Sequence, residues 1–327
     1  MMKTNAIVLH RTGGPEVMVW EQVDLPELQA GQVRIRHAAI GFNMIDTYRR
    51  KGLYPIPLPF VPGSEAAGVV EQTAADVQSL KPGDRVVYAA PETGSYCEQR
   101  VIAADKLVRL PAAISDVTAG ASFLKGLTVW ALIHKTRPLQ AGDTILVYAA
   151  AGGVGTMLCQ WARHLSVRVI GVVGSDEKVT VAKQHGCDEV INYNKADIAA
   201  TVKQLTAGKG VDVVYDSMGK DTFTASLDCL RPLGMMVSFG NATGPVPPVD
   251  LLDLMRRGSL FLTRPTLFNY IATRDQLDEG AAALFEVIRS GAVKVMINQH
   301  YELKDAVQAH IAVESKQTTG ATVLLNR

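Results

Sequence analysis

The sequence predicts an α/β protein, with a doubly wound parallel sheet in the middle of the chain and a second, mostly-β domain. Over the first ~120 residues, short apolar or alternating runs are separated by turn clusters, as in strands joined by tight turns. From about residue 125, strand-length apolar runs alternate with segments of helical periodicity, the pattern of a parallel sheet covered by helices. After residue 268 comes a long helical segment, and the closing run GATVLLNR is a strand that we expect to return to the first domain.

The predicted strands of the first region are NAIVLH, QVRIRHAAIGF, EAAGVVEQ and DRVVYAA. Turn clusters such as RTGGPE, LQAG and LKPGD lie between strands of this region. The stretch LYPIPLPFVPG is dense in proline, which excludes both a helix and a central strand there.

The second region alternates strands and helices. DTILVYAA, VRVIGVVG, DEVINY, VDVVYDSMG, MMVSFGN and SLFLTRP are the predicted strands. GGVGTMLCQWARHL has apolar residues at helical spacing, and SDEKVTVAKQHG is a predicted helix opened by Ser175 and closed by Gly186. The long helix after residue 268 is TRDQLDEGAAALFEVIRSG.

Composition narrows the functional classes. The chain has 327 residues, is 47% hydrophobic and 20% charged, and carries a net charge of +1, which gives no electrostatic argument for nucleic acid or anionic membrane. No stretch approaches the roughly 20 apolar residues that span a bilayer. The beginning of the sequence has no secretory pattern, and four dispersed cysteines without a C-x-x-C pair are typical of a reduced, cytoplasmic protein.

The glycine-rich segment AAAGGVG, residues 149–155, predicts a dinucleotide site. It lies between a strand and an amphipathic helix, where backbone N–H groups and the helix N-terminus face a pyrophosphate. Ala150 takes the place of the first glycine of G-x-G-x-x-G, and its methyl group is tolerable if φ stays negative. Gly152 lets the backbone approach the phosphates and Gly155 lets helix and strand pack closely. The alternative is a glycine-rich turn that binds nothing.

The end of the next strand selects the cofactor. Enzymes that use NAD place an acidic residue there for the ribose 2′-OH, whereas this strand ends Val173-Gly174-Ser175. A small, uncharged tip with Lys178 and Tyr193 nearby favours a 2′-phosphate and therefore NADPH. Two alternatives stay open: Lys178 is an ordinary surface lysine, or the strand runs longer and Asp176 repels the phosphate.

Seven motifs occur in one order and together resemble a known family. They are GFNMIDTYRRKGLYP (41–55), VPGSEAAGVV (61–70), KPGDRVVY (81–88), ASFLKGLTVWAL (121–132), AAAGGVG (149–155), VYDSMG (214–219) and SFGNATG (238–244). The chain closely resembles, over essentially its whole length, the NADPH-dependent quinone oxidoreductases, the zeta-crystallin-like branch of the medium-chain dehydrogenases. The resemblance implies a GroES-like catalytic domain from residues 1–124 and 268–327, and a Rossmann domain from 125–267. It also implies a homodimer joined through an edge strand, for which SLFLTRP is the candidate.

The resemblance also bears on metal binding. Zinc-dependent relatives bind catalytic zinc through a Cys, a His and a later Cys, and they carry a four-cysteine structural lobe. Here Asn43 stands in place of the first Cys, and Ser64 precedes Glu65 where the relatives have His-Glu. No cysteine lies between residues 98 and 158. Tetrahedral zinc needs nitrogen and sulfur ligands, so the expectation is no metal.

By the same resemblance, the candidate catalytic residues are Asn43, Tyr48, Tyr54 and Arg264. Each has a structural alternative: a turn cap for Asn43, packing in the proline loop for Tyr54, and a surface ion pair for Arg264. Asp46 is expected to orient the cofactor or support the fold rather than act as a general acid. The expected cofactor residues are Asn43, Asp46, Tyr48, Thr128, Gly152, Gly153, Val154, Gly155, Gly174, Ser175, Lys178, Tyr193, Ser217, Phe239, Gly240, Asn241 and Lys316.

The function that follows is metal-independent reduction of quinones by NADPH. A quinone needs less activation than a simple ketone because its carbonyls are conjugated and reduction makes an aromatic ring. One alternative is NADPH-dependent reduction of an activated C=C bond, since fold alone does not separate the two. Another is a non-catalytic, NADPH- or RNA-binding crystallin-like protein, against which the near-neutral charge argues.

Overall fold

The computed structural model describes residues 2–326, and these fold into two compact units. The first unit runs to Leu127 and includes Ile271–Arg289 and the chain from Val295 onward. The second unit comprises Thr128–Tyr270 with Ser290–Lys294. No helix in the described range has both the length and the apolar character needed to cross a bilayer.

Fifteen strands lie within residues 2–326. They are β1 (Met2–Leu9), β2 (Met18–Leu25), β3 (Gln32–Gly41), β4 (Glu65–Thr73), β5 (Arg85–Ala89), β6 (Gln99–Ala103), β7 (Val108–Arg109), β8 (Thr144–Tyr148), β9 (Arg168–Val173), β10 (Glu189–Asn192), β11 (Val211–Asp216), β12 (Leu230–Ser238), β13 (Phe261–Thr263), β14 (Ile297–Glu302) and β15 (Ala321–Leu325).

The same range holds ten α-helices. They are α1 (Met44–Arg50), α2 (Asp116–Trp130), α3 (Gly153–His164), α4 (Asp176–Gln184), α5 (Ile198–Leu205), α6 (Phe223–Asp228), α7 (Leu251–Arg256), α8 (Leu267–Tyr270), α9 (Arg274–Arg289) and α10 (Ala306–Glu314).

The first unit is built on a seven-stranded sheet. Its order is β14-β15-β3-β4-β5-β7, with β6 also paired to β3, and β1 and β2 form a separate antiparallel pair. The closing strand β15 pairs antiparallel with β3, which places Val323 opposite Gly41. The prediction that the last strand returns to the first domain is therefore confirmed.

The second unit holds a six-stranded, all-parallel sheet in the order β10-β9-β8-β11-β12-β13. Its strands are nearly continuous apolar runs because helices cover a parallel sheet on both faces. Leu146, Ile170, Val214 and Met236 of this sheet are fully buried. The predicted α/β class, with a doubly wound parallel sheet and a second, mostly-β domain, is confirmed.

Candidate active site

Most of the predicted site residues in the first unit lie on or beside α1. The sequence analysis predicted strands in this region and did not predict this helix. Asn43 precedes the helix, and the Asp46 carboxylate accepts a hydrogen bond of 2.9 Å from the Asn43 backbone N–H. This capping box satisfies a backbone donor that a helix start otherwise leaves unpaired. Two arginines in the last turn, Arg49 and Arg50, complement the helix dipole. These local signals explain why so short a segment is helical.

Behind Asn43 lies a buried carboxylate, Glu65, at the start of β4. It is fully buried and accepts three hydrogen bonds: 2.8 Å from Asn43 Nδ2, 2.7 Å from the Leu124 backbone N–H, and 2.8 Å from Lys125 Nζ. The ion pair is sealed from water, since Lys125 is only 5% exposed. A Cβ at Gly41 would lie 2.1 Å from the Glu65 carboxylate, so only glycine fits on that side.

This cluster does not fit a zinc ion. The positions that supply ligands in zinc relatives hold an amide at Asn43 and a hydroxyl at Ser64, which accepts a 2.5 Å hydrogen bond from Arg49. The carboxylate of Glu65 is already bound to an ammonium cation, and a second cation beside it would be repelled. Within residues 2–326, no three His, Cys, Asp or Glu side chains are grouped to hold a metal ion.

Asp46 is the titratable group of this region. It is fully buried, and its Oδ2 accepts from Tyr96 at 3.3 Å as well as from Asn43. Its Oδ1 is buried without a hydrogen-bond partner. Burial raises the pKa of Asp46 to about 6, although the Asn43 N–H and the cations of Arg49 and Lys125 oppose the rise. Burial of Asp46 in the folded protein therefore moves its protonation from acidic pH to about pH 6.

A chain of buried side chains continues from Asp46 through Tyr96 to His310. The Tyr96 hydroxyl lies 3.3 Å from His310 Nε2, and Arg50 lies 2.9 Å from His310 Nδ1. Because arginine only donates, Nδ1 is the acceptor and Nε2 carries the proton. Burial, with Arg50 and Lys51 nearby, lowers the pKa of His310 to about 3, so this ring is neutral. Burial also raises the pKa of Tyr96 well above its usual value.

Tyr48 and Tyr54 are brought together by the end of α1. Their rings meet edge to face with centroids 5.6 Å apart, and the Tyr48 carbonyl accepts from the Leu53 and Tyr54 N–H groups. Tyr48 is 8% exposed and Tyr54 is half-buried. Asp46 and Tyr48 thus lie on α1, Asn43 directly precedes it, and Tyr54 lies in the turn that follows it.

In the second unit, the glycine-rich turn joins β8 to α3 as predicted. The left-handed residue is Ala149, with φ +50°, whereas Ala150 keeps a negative φ and is buried. Gly152 precedes α3 with extended backbone, and Gly153, Val154 and Gly155 form its first turn. A Cβ at Gly155 would lie 2.2 Å from the Ala149 carbonyl oxygen, so this glycine permits the close helix–strand approach. Ala150 therefore does not disrupt the turn.

The tip of β9 gathers the predicted 2′-phosphate residues. The strand ends at Val173, Ser175 caps α4 by accepting from the Lys178 N–H, and a Cβ at Gly174 would meet the Tyr193 hydroxyl at 2.5 Å. Desolvation lowers the pKa of Lys178. The carboxylate of Asp176 begins α4 instead of extending the strand, and it is paired with Lys195 and Asn192. Asp176 is therefore the first residue of α4 rather than part of the strand.

The loops after β11 and β12 lie against each other. A Cβ at Gly240 would lie 2.2 Å from the Ser217 carbonyl oxygen, and the Phe239 N–H donates to the Asp216 carbonyl at 2.8 Å. Arg264 donates to the Gly240 carbonyl at 2.8 Å and to Ser238 Oγ at 3.1 Å. This contact fixes the loop that contains Asn241.

Two further predicted residues belong to other elements. Thr128 is on α2, where the second unit begins. Lys316 follows α10 in the first unit, with φ +60°. The structure thus groups the strand-tip, glycine-turn and loop residues in the second unit, and the α1 residues in the first.

Comparison with known proteins gives the family. Residues 29–113 match the model for the alcohol dehydrogenase GroES-like domain, and residues 153–286 match the model for zinc-binding dehydrogenases. The quinone oxidoreductase of Pseudomonas aeruginosa is 49% identical over 96% of this chain and 97% of its own length. The chain belongs to the quinone oxidoreductase family. The crystal structure of Escherichia coli quinone oxidoreductase in complex with NADPH is also similar to this chain, with a TM-score of 0.95 and 47% sequence identity. The match covers 98% of this chain and 99% of that one.

One relative of this chain has a different name. A 2-haloacrylate reductase from a Burkholderia species is 44% identical over 98% of both chains. Relatives with two different names, quinone oxidoreductase and 2-haloacrylate reductase, are thus similar to this chain over nearly its whole length.

The sequence analysis gave no role to three buried charged residues. Lys125 pairs with Glu65 in the first unit, and Asp216 ends β11 in the second unit. Asp216 accepts from the N–H groups of Met218 and Gly219 at 2.6 and 3.1 Å, and from two hydroxyls. A signal was present, because a lone charge inside an apolar run such as SFLKGL or VVYDSM is rarely buried without a partner.

Proposed function

We propose that this protein reduces quinones with NADPH and without a metal ion. The observation that carries the proposal is the tip of β9, where Gly174, Ser175, Lys178 and Tyr193 meet and no carboxylate replaces them. The relatives support it, since quinone oxidoreductases from Pseudomonas aeruginosa and Escherichia coli are 49% and 47% identical to this chain.

The residues of the second unit fit a bound NADPH. Gly152, Gly153, Val154 and Gly155, at the start of α3, would offer backbone N–H groups and a helix N-terminus to a pyrophosphate. Ser175, Lys178 and Tyr193 would hold the 2′-phosphate, with Lys316 as a further cation. Thr128, Ser217, Phe239, Gly240 and Asn241 would line the nicotinamide end, and the proposed cofactor residues also include Asn43, Asp46 and Tyr48.

Bound NADPH would supply a hydride, and with one proton the quinone would become a hydroquinone. Asn43, Tyr48, Tyr54 and Arg264 are the proposed catalytic residues, whose polar groups would orient the quinone and stabilise charge on its oxygen. No metal is needed because the quinone carbonyls are conjugated, and the pairing of Glu65 with Lys125 supports a site without zinc.

A second candidate is NADPH-dependent reduction of an activated C=C bond. The 44% identity to a 2-haloacrylate reductase over almost the whole chain favours it. Both reactions deliver a hydride to a conjugated, electron-poor acceptor, so the same cofactor site serves either.

Oxidation of NADPH at 340 nm separates these functions. The purified protein is assayed with 1,4-benzoquinone, 1,2-naphthoquinone, 2-chloroacrylate and an enone, with NADH as the control cofactor and with or without a metal chelator. Quinone turnover with NADPH that the chelator leaves unchanged is the expected result. Turnover on the acrylate or enone alone moves the assignment to C=C reduction, and NADPH binding without any turnover leaves a non-catalytic role.

We also propose a homodimer formed through β13. This strand is the edge of the parallel sheet, and Phe261 on it is 55% exposed. Nearby α7 exposes Leu251, Leu252 and Met255. An apolar edge of this kind in a soluble monomer invites strand pairing, which a second copy satisfies.

The proposal includes a cytoplasmic location and the domain division at residues 124 and 268. Cys97, Cys159, Cys187 and Cys229 are all buried free thiols, as in a reducing compartment. The compact units, which part at Leu127 and Ile271, support a division near the proposed residues.

A further inference from the structure

We propose that Lys125 is a positioning residue that holds the Asn43 side chain in its working orientation through Glu65. The inference deepens the proposed function, because it concerns the residue that begins the α1 cluster. Asn43 and Lys125 do not bond to each other; both donate to the same oxygen, Glu65 Oε1, at 2.8 Å.

Glu65 is surrounded by hydrogen-bond donors. Three N–H donors converge on this carboxylate, from Asn43, Lys125 and the Leu124 backbone. An ionised carboxylate only accepts, and so satisfies all three. A protonated carboxyl or a glutamine carries a hydrogen of its own, which would have to face one of these donors.

The charge of Glu65 therefore determines which end of the Asn43 amide points inward. With the carboxylate ionised, the Nδ2 end faces Glu65, with a second, longer contact of 3.4 Å to the Gly41 carbonyl. The carbonyl end then lies on the other side, towards the first turn of α1. If Glu65 carried a proton, the amide would turn over to accept it, and the hydrogen-bonding group presented to the site would be inverted.

Lys125 is the cation that pairs with the buried Glu65 carboxylate, at 2.8 Å. A fully buried carboxylate without a cation is strongly disfavoured, and it takes up a proton instead. The Lys125 ammonium touches Glu65 and is itself nearly sealed from water. The remaining groups around the pair are Asp46 and Arg49 of α1 and Tyr96, and the structure places none of them in a hydrogen bond with Glu65 within residues 2–326.

The competing interpretation is that the ion pair only ties α2 to β4. The two interpretations differ in a double-mutant cycle between Asn43→Ala and Lys125→Met, read as kcat for 1,4-benzoquinone and as the NADPH Kd from fluorescence. If Lys125 acts through Asn43, Lys125→Met lowers kcat by roughly tenfold in the wild-type background and by less than about twofold in Asn43→Ala. Lys106→Met, which removes a surface lysine paired with Glu92, is the matched control and leaves both values unchanged.

The melting temperature completes the test. Glu65→Gln/Lys125→Met removes the buried charges together, so we expect its melting temperature to recover relative to Lys125→Met while kcat stays low. This double variant also serves if Lys125→Met alone does not fold. Equal losses of kcat in both Asn43 backgrounds, or a double variant with full kcat, would overturn the proposal. If the wild type reduces no quinone, the proposed function fails, while the same cycle read on NADPH Kd still tests Lys125.

Discussion

At the residue scale, Asp46 illustrates how burial and hydrogen bonding oppose each other. Its Oδ2 accepts from the Asn43 N–H and from Tyr96, whereas its buried Oδ1 has no partner. The desolvation is the larger effect, so the pKa rises from 3.8 to about 6. Ionisation of Asp46 consequently destabilises the folded state relative to the unfolded state.

Replacing Asp46 by Asn tests this destabilisation. The unfolded chain loses the Asp46 proton near pH 3.8 and the folded protein near pH 6, so the wild type loses stability between these values as the pH rises. We therefore expect the stability of Asp46→Asn relative to wild type to increase from pH 4 to pH 6.5, by about 3 kcal/mol at most, and then to level off. Urea unfolding at several pH values measures it, and a difference independent of pH would contradict the account.

Lys178 carries the second prediction at this scale. Its ammonium is the proposed partner of the 2′-phosphate, which NADH lacks, so Lys178→Ala should weaken NADPH about tenfold and leave NADH almost unchanged. Lys183→Ala, an exposed lysine later in the same helix, is the control. Fluorescence titration gives both affinities. Equal losses for the two cofactors would remove the 2′-phosphate assignment.

At the element scale, the glycine-rich turn depends on Gly155 more than on a glycine at position 150. A Cβ at Gly155 would come within 2.2 Å of the Ala149 oxygen and 2.8 Å of the Ala150 Cα, both backbone atoms that give way only if α3 moves. Ala150, in contrast, has a negative φ that any residue adopts.

Two substitutions compare these positions. Gly155→Ala should destabilise the protein by about 1–3 kcal/mol through overpacking and should weaken NADPH binding as α3 shifts. Ala150→Gly should change NADPH affinity by less than about twofold, because no backbone strain is relieved. Thermal melts and NADPH titrations check both; a tolerant Gly155→Ala variant would contradict the packing argument.

The elements also show which parts of the fold are legible in sequence. The β9–α4 boundary was predictable because Ser175 is a cap and Gly186 a stop, and the structure has α4 at Asp176–Gln184. Helix α1 was not, because only seven residues carry it and its signal is a cap, Asn43 with Asp46, inside a strand-rich region. The Glu65–Lys125 contact was not either, since it joins residues 60 positions apart that no local pattern relates.

At the scale of the whole molecule, buried neutral histidines set its response to acid. Burial lowers the pKa of His37 to about 4 and that of His310 to about 3, from 6.5. Below pH 6.5 the unfolded chain binds these protons and the folded protein does not, so stability falls as the pH drops from 6.5 towards 4. Asp46 acts in the opposite direction over part of this range but is a single group.

His310→Gln should flatten this acid dependence. A glutamine can still accept from Arg50 but does not titrate, so the fall in melting temperature between pH 6.5 and pH 4 should be smaller than in wild type. His300→Gln, at an exposed position of β14, is the control. An unchanged slope in His310→Gln would show that another group controls acid unfolding.

The proposed dimer is tested on the same scale. Phe261→Asp places a charge on the exposed edge strand and should convert the dimer to a monomer in sedimentation velocity. Val19→Asp, at an exposed apolar position on β2 of the first unit, should leave the dimer intact. A wild type that sediments as a monomer would refute the β13 interface.

The central claim is metal-independent hydride transfer from NADPH to a quinone. The most direct measurement mixes chelator-treated, metal-free protein with one equivalent of NADPH and excess 1,4-benzoquinone in a single anaerobic turnover. We predict that the absorbance at 340 nm is lost at the same rate as in untreated protein and that one hydroquinone forms per NADPH. Loss of turnover after metal removal, restored by added zinc, would contradict the account.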